Sequence, residues 1–379
     1  MYISLRTDSD WVKRTVQDME VLAAAHRDEL RSATHRGVFL ADLYREMARQ
    51  GWVGVCAPVD YGGAGLGVCE YCVVEEEVGR LGLVSPQVAI QGQQWLREFG
   101  TPEQRERYLP GIASGTLIFS ESISEPGVGS SLKAMQATAK PDGSDWIIRA
   151  TKTHVNMGVE SHVTLVYAMA PEGLTAFLVD TDLPGVIRSH TDAVGLRLIP
   201  TADMIFEDVR VPGSSVLGQP GEGLATFFAT FNVSRLGNAS ELIGFGRRAL
   251  TDGIRFGQQR DVGGSMVTEF QGQQWLVADA YSDLYAASLA RDRAAVLADD
   301  HSEHALETTL AKKLAIEAAE RCVGEVFSLV GGHGLYYDQN YVQLLHDVKV
   351  LRVAGGSLEV LRNYVARRIL GDPSYEGLA

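Results

Sequence analysis

The sequence predicts a mainly helical α+β chain in three parts, and three observations carry that expectation. Apolar residues recur at helical spacing from the N-terminus to about residue 112. Between 117 and 212 they give way to short β-rich runs separated by Gly, Pro and Asp, with no helical stretch between them. After GQPGEG at 218–223 the helical period returns and lasts to Leu370. The expected architecture is an N-terminal helical domain at 1–115, a central antiparallel β-barrel or sandwich at 116–220, and a C-terminal four-helix bundle at 221–379. A chain of 379 residues suits two or three such domains.

Taken in order, 8–26 and 39–50 show the amphipathic spacing of helices. The glycine-rich YGGAGLGVCEY at 61–71 leads into a helix at 72–81. No strand precedes it, so it is predicted to be a connecting turn and not a phosphate cradle. Cys69 and Cys72 form a CxxC without a second pair or a nearby His pair, which fits two positions one helical turn apart better than a zinc half-site. Thr101, Pro102, Glu103 and Gln104 spell a helix start: a capping hydroxyl, then Pro at the first helical position. Strands are expected at 146–151, 162–170, 174–181 and 202–212, and long helices at 227–256, 271–298 and 305–329.

Lys and Arg number 34 against 48 Asp and Glu, a formal charge of −14. That balance argues against a nucleic-acid partner, which needs clustered cations, but leaves room for a small phosphate-bearing ligand. No apolar run is long enough to span a membrane, and the first residues lack the basic and apolar regions of a signal peptide. A cytoplasmic protein without a membrane partner is expected.

Several local signatures occur in a fixed order: SISEPGVGS at 122–130, FEDVRVP at 206–212, EFQGQQW at 269–275, GGHGLY at 331–336, HDVK at 346–349 and GGSLEVLRNYVAR at 355–367. Together with the helical, β, helical order, they resemble the acyl-CoA dehydrogenase family over essentially the whole chain. The resemblance implies FAD as cofactor and an acyl thioester as substrate, presented by CoA or an acyl carrier protein. It implies an electron-transfer flavoprotein or O2 as electron acceptor. In that reading Ser124 offers a hydroxyl to the flavin, and the backbone at Gly129 and Ser130 approaches a phosphate closely. His154 and Asn156 occupy flavin-packing positions. Arg260 matches an arginine that reaches the FAD of a neighbouring protomer, and Gly331 and Gly332 match a turn in the same interface. A homodimer or homotetramer follows, with FAD binding and assembly linked.

The chain also departs from that pattern. KTHVN at 152–156 puts His154 where the family has Trp and Asn156 where it has a hydroxyl residue. Gly263 replaces an aromatic residue, and Ser328 a Gln. The α-proton of an acyl thioester is weakly acidic and needs a positioned carboxylate. The family's two seats for that glutamate fall here on Gly355 and Ser234. Glu359, Asp338 and His154 are the remaining candidates for a base, and none is assigned the role. Ser357 is expected to cap the last helix, with Val360 in its first turn. Three functions stay open: loss of CO2 or another anionic group in place of proton abstraction; oxygen chemistry at a flavin exposed by the change at His154; or a non-catalytic subunit paired with a base-bearing paralogue.

Overall fold

A computed structural model describes residues 9–336 and 339–371, with nothing said of the Lys133 side chain. Six helices come first: α1 (Asp10–Ala25), α2 (Arg27–Arg36), α3 (Ala41–Arg49), α4 (Val68–Leu81), α5 (Gln87–Phe99) and α6 (Pro102–Ala113). The cap read at Thr101 is present, its Oγ1 accepting from Gln104 N at 3.2 Å. The glycine-rich stretch is a connecting turn, but α4 begins at Val68 and so takes in both Cys69 and Cys72. Both side chains are buried and neither is in a disulfide, and their spacing puts them on one face of the helix.

Eight strands follow: β1 (Phe119–Ser122), β2 (Thr138–Asp142), β3 (Asp145–Asn156), β4 (Val163–Ala170), β5 (Gly173–Asp180), β6 (Val186–Thr191), β7 (Thr201–Pro212) and β8 (Val216–Leu217). They form one sheet in the order β6-β7-β3-β2-β4-β5-β8, with β1 added on β4. β1, β2 and β6 carried too little apolar alternation to be read from sequence. The sheet is also not wholly antiparallel, because β1 and β2 each pair with β4 in parallel. β4 is buried at seven of its eight positions, as its near-continuous apolar sequence demands. The sheet and the N-terminal helices share one hydrophobic core.

The remaining helices are α7 (Gly223–Gly257), α8 (Gln271–Asp299), α9 (Ala305–Glu325), the short α10 (Phe327–Val330), α11 (Tyr341–Val353) and α12 (Leu358–Gly371). They enclose a second core. At 35 residues, α7 is about 50 Å long and links the parts. Its N-terminal end packs on the sheet and on α5, and its middle crosses α4. Gly79 and Gly237 let those two backbones approach: a Cβ at either would overlap the Glu241 carbonyl or the Tyr71 hydroxyl. Ser357 Oγ accepts from Val360 N at 3.4 Å, so the cap expected on α12 is present.

Candidate active site

β1 ends in the segment 123–130, and a buried ion pair fastens that loop to β3. Lys152, fully buried on β3, donates to Glu125 Oε1 at 2.9 Å and to the Ile123 carbonyl at 3.1 Å. Burial pushes the Glu125 carboxyl up, but donors from Gln136 N, Lys152 and Ala137 N outweigh it and hold the acid below its usual range. Burial pulls Lys152 down to about 8 against the opposing pull of Glu125. Thr153 N closes the join by donating to the Ser124 carbonyl at 3.0 Å.

Just beyond, the pairing of β3 with β7 shifts register between Lys152 and Val155. This bulge puts His154 in the left-handed region at φ +58 and leaves both His154 and Asn156 exposed. The half-buried Ser124 and the exposed Gly129 and Ser130 stand on the adjoining loop. These five predicted residues therefore share one patch. Nothing lies within 4 Å of a Cβ built on Gly127 or Gly129, so the backbone there is open to close approach. Main-chain donors and hydroxyls on a pinned, open loop suit the pyrimidine edge and pyrophosphate of FAD, and the residues present fit that group.

Arg260, Gly331 and Gly332 lie elsewhere. They gather at the C-terminal end of α7, where Phe256 stacks on His333 with ring centroids 4.7 Å apart. The exposed Arg260 guanidinium has no hydrogen bond or ion pair among the described residues, and a Cβ at Gly331 or Gly332 would meet open space. They follow the C-terminal end of α7, whereas its N-terminal end packs on the sheet that carries the Ser124 loop. Gly263 is exposed at φ +67 beside Arg260.

Neither seat for a base holds an acid. Gly355 and Gly356 both have positive φ, +64 and +92, which L-residues resist. Two buried cations hold this turn by its carbonyls: Arg235 Nε donates to Gly355 O at 3.2 Å, and Lys312 Nζ to Gly356 O at 3.1 Å and to Ala354 O. Burial takes Arg235 down to about 10, and burial with the Arg235 charge takes Lys312 well below the usual lysine range. A Cβ on Gly355 would stand 2.5 Å from Asn238 Nδ2 and 3.1 Å from Lys312 Nζ. Ser234, the second seat, is buried, and its hydroxyl accepts from Gln87 Nε2 at 3.0 Å. Glu359 is exposed and paired with Arg352 at 2.6 Å, and Asp338 lies outside the described residues.

Sequence reasoning missed Lys152, Arg235 and Lys312, which bond backbone far from them in the chain and leave no local signature, and Asn238, which stands beside the glycine turn. It also missed Glu121 on β1, a carboxyl that burial alone pushes up to about 8. Its position two residues after Phe119 and three before Ser124 was the available signal. A cavity of about 560 Å3 opens elsewhere, lined among others by Arg31, Arg197, Arg248, Asp252 and Asp347, and includes none of the predicted site residues. Among the described residues no cluster of His, Cys, Asp and Glu could hold a metal ion, and no helix is long and apolar enough to cross a membrane.

Comparison with known proteins covers nearly all of the chain. Three family descriptions match in order: "Acyl-CoA dehydrogenase, N-terminal domain" at 11–116, "middle domain" at 120–209 and "C-terminal domain" at 221–370. Acyl-CoA dehydrogenase FadE12 of Mycobacterium tuberculosis is 32% identical over 347 residues, spanning 88% of this chain and 89% of that protein. The structure of butyryl-CoA dehydrogenase from Megasphaera elsdenii superposes with a TM-score of 0.91 at 22% identity, covering 98% of this chain and 100% of the other. Glutaryl-CoA dehydrogenase from Mycobacterium smegmatis, in complex with FADH2, gives a TM-score of 0.86 at 24% identity, covering 94% and 95%.

Proposed function

The chain belongs to the acyl-CoA dehydrogenase family, and from that premise we propose that this FAD-dependent oxidoreductase acts on an acyl thioester, or a related acyl acid, without a glutamate base. The observation that carries the proposal is the glycine turn at 355–356. Its carbonyls are held by Arg235 and Lys312, with Asn238 beside them, and no carboxylate occupies this seat or Ser234. A site built this way withdraws negative charge but does not abstract a proton.

FAD, when bound, supplies a two-electron acceptor for hydride. Ser124, Gly129, Ser130, His154 and Asn156 are the residues that would hold it within this chain. Lys152 and Glu125 keep their loop rigid. The exposed Arg260, Gly331 and Gly332 are suited to the cofactor of a second copy, which makes a homodimer or homotetramer part of the proposal. A malonyl-type thioester that carries a free carboxylate on its α-carbon and a hydrogen on its β-carbon would lose CO2, leave the electron pair on the α-carbon and give up the β-hydrogen as hydride, ending as the enoyl thioester with no protein base needed. The positive field of Arg235 and Lys312 favours the negative charge so formed. Electrons then leave to an electron-transfer flavoprotein or to O2, and the acyl group arrives on CoA or on a carrier protein.

The test is anaerobic bleaching of the oxidised-flavin band after loading with FAD. Alkylmalonyl thioesters that keep a hydrogen on the β-carbon should bleach it, and saturated acyl-CoA esters should not. Bleaching by saturated esters would overturn the base-free route. A flavin that no ester bleaches would favour the remaining reading, a subunit that keeps the fold for assembly with a base-bearing paralogue.

A further inference from the structure

Strand β1 faces two ways. Ser120 and Ser122 point to one side, where Ser122 Oγ meets Thr164 Oγ1 at 2.8 Å. Phe119 and Glu121 point to the other, by the two-residue period of a strand. Phe119 packs on Trp95 of α5, ring centroids 6.1 Å apart. Glu121 stands opposite Leu165 in the parallel pairing with β4, so Tyr167, two residues on, shares its face. Tyr167 meets Phe227 of α7 edge-on at 5.9 Å. The Glu121 carboxyl is therefore aimed into the layer between the sheet and helices α5 and α7.

Those helices run antiparallel here. Gln87 bonds Ser234, and Trp95 Nε1 donates to the Thr226 carbonyl at 2.9 Å, which puts Gln91 opposite Thr230. Three buried polar atoms at this layer have no hydrogen-bond partner among the described residues: Glu121 Oε1, Tyr167 OH and Thr230 Oγ1. A buried polar atom left without a partner destabilises the fold, and native interiors rarely keep such atoms grouped without a use. All three can accept a hydrogen bond. Around them stand the aromatic rings of Tyr167, Phe227 and Phe231, the last two 4.9 Å apart.

The aromatic strip leads to the glycine turn. Arg235, which holds the Gly355 carbonyl, lies over Phe231 at 4.3 Å. From Arg235 back to Phe227 is eight residues of helix, about 12 Å. The Glu121 layer and the glycine turn are the two ends of this strip, a spacing that suits an acyl group running between them.

We propose that Glu121, Tyr167 and Thr230 form a recognition site for the distal end of the acyl group, and that this end carries a protonated amine. Acceptors grouped with aromatic faces are the surroundings an ammonium prefers. The proposal rests on the acyl-thioester reading above. Burial alone pushes the Glu121 carboxyl up to about 8. Tyr167 is the titratable group facing it from β4, and the residues facing from α5 and α7, Gln91, Trp95, Phe227 and Thr230, do not titrate. Burial thus favours the neutral carboxyl while the site is unliganded, and an ammonium entering it would restore the carboxylate and release a proton.

The experiment is calorimetric titration of the FAD-loaded protein with a ladder of ω-aminoalkanoyl-CoA esters and their isosteric straight-chain alkanoyl-CoA esters. Each titration is run at pH 7 in two buffers of different ionisation enthalpy. At the fitting chain length the amine should bind about tenfold tighter than its isostere, with proton release. E121Q should abolish both the preference and the proton release, and T230V should reduce the preference. Equal or tighter binding of the alkanoyl ester at every length would overturn the proposal. So would an amine preference that survives both substitutions. Binding of neither series would overturn the acyl-thioester reading itself.

Discussion

Two buried layers of this protein hold carboxylates in opposite ways. Where α4 crosses α7 and α8, Glu76 is bracketed by Arg247 and by Arg291, the latter at 2.7 Å, and Glu77 takes Arg247 at 3.1 Å and Arg80. Arg291 also donates to Ser240 at 2.9 Å and Asp292 at 2.6 Å. Burial pushes Glu76 up, but the two arginines outweigh it and keep the carboxylate charged. Between the sheet and α5/α7, Glu121 has no such neighbour, and burial goes unopposed. A charge closed off by partners holds helices together; an acid left open among unpartnered hydroxyls is equipped to meet something from outside. Glu75 marks the middle case: it too is pushed up to about 8 by burial, yet Ser85 Oγ donates to it at 2.8 Å.

The largest effect that probes this contrast is expected at Arg291. Replacing it by Met strands part of the Glu76 charge and should cost about 3–5 kcal/mol, read as a fall in the chemical-denaturation midpoint. An unchanged midpoint would mean that the network is not load-sharing. Next comes Glu121. Its folded pKa lies above its unfolded value of 4.5, so its contribution is complete below that value and is lost as pH rises towards 8. Wild-type stability should therefore decline across this window with a slope of up to about 1.4 kcal/mol per pH unit from this group. E121Q should remove that share while leaving those of Glu75 and Glu241, whose carboxyls are also raised. Identical pH profiles for the two proteins would contradict an uncompensated Glu121.

Smaller effects are expected at the turns. G355E places a side chain in the left-handed region beside Asn238 and should lose about 1–2 kcal/mol without gaining bleaching by saturated acyl-CoA esters. Gain of that activity would show that the turn can relax to seat a base. T101A removes the α6 cap and should cost about 1 kcal/mol, visible as a lower thermal midpoint.

The sequence by itself determined the order of helical and β regions, the family, the loop at 122–130 and the two seats without an acid, because each rests on local periodicity or on contiguous residues. It anticipated the caps at Thr101 and Ser357 for the same reason. Strands β1, β2 and β6 were not legible, since their pairing with β4, β3 and β7 supplies what their short runs lack. Tertiary structure alone decided that Lys152 locks the 123–130 loop, and that Arg235 and Lys312 from two helices clasp the glycine turn. It also decided the character of each glutamate. In sequence Glu76 and Glu121 are ordinary acids; the arginines brought from α7 and α8 keep one charged, and the aromatic layer around the other leaves it protonated and open.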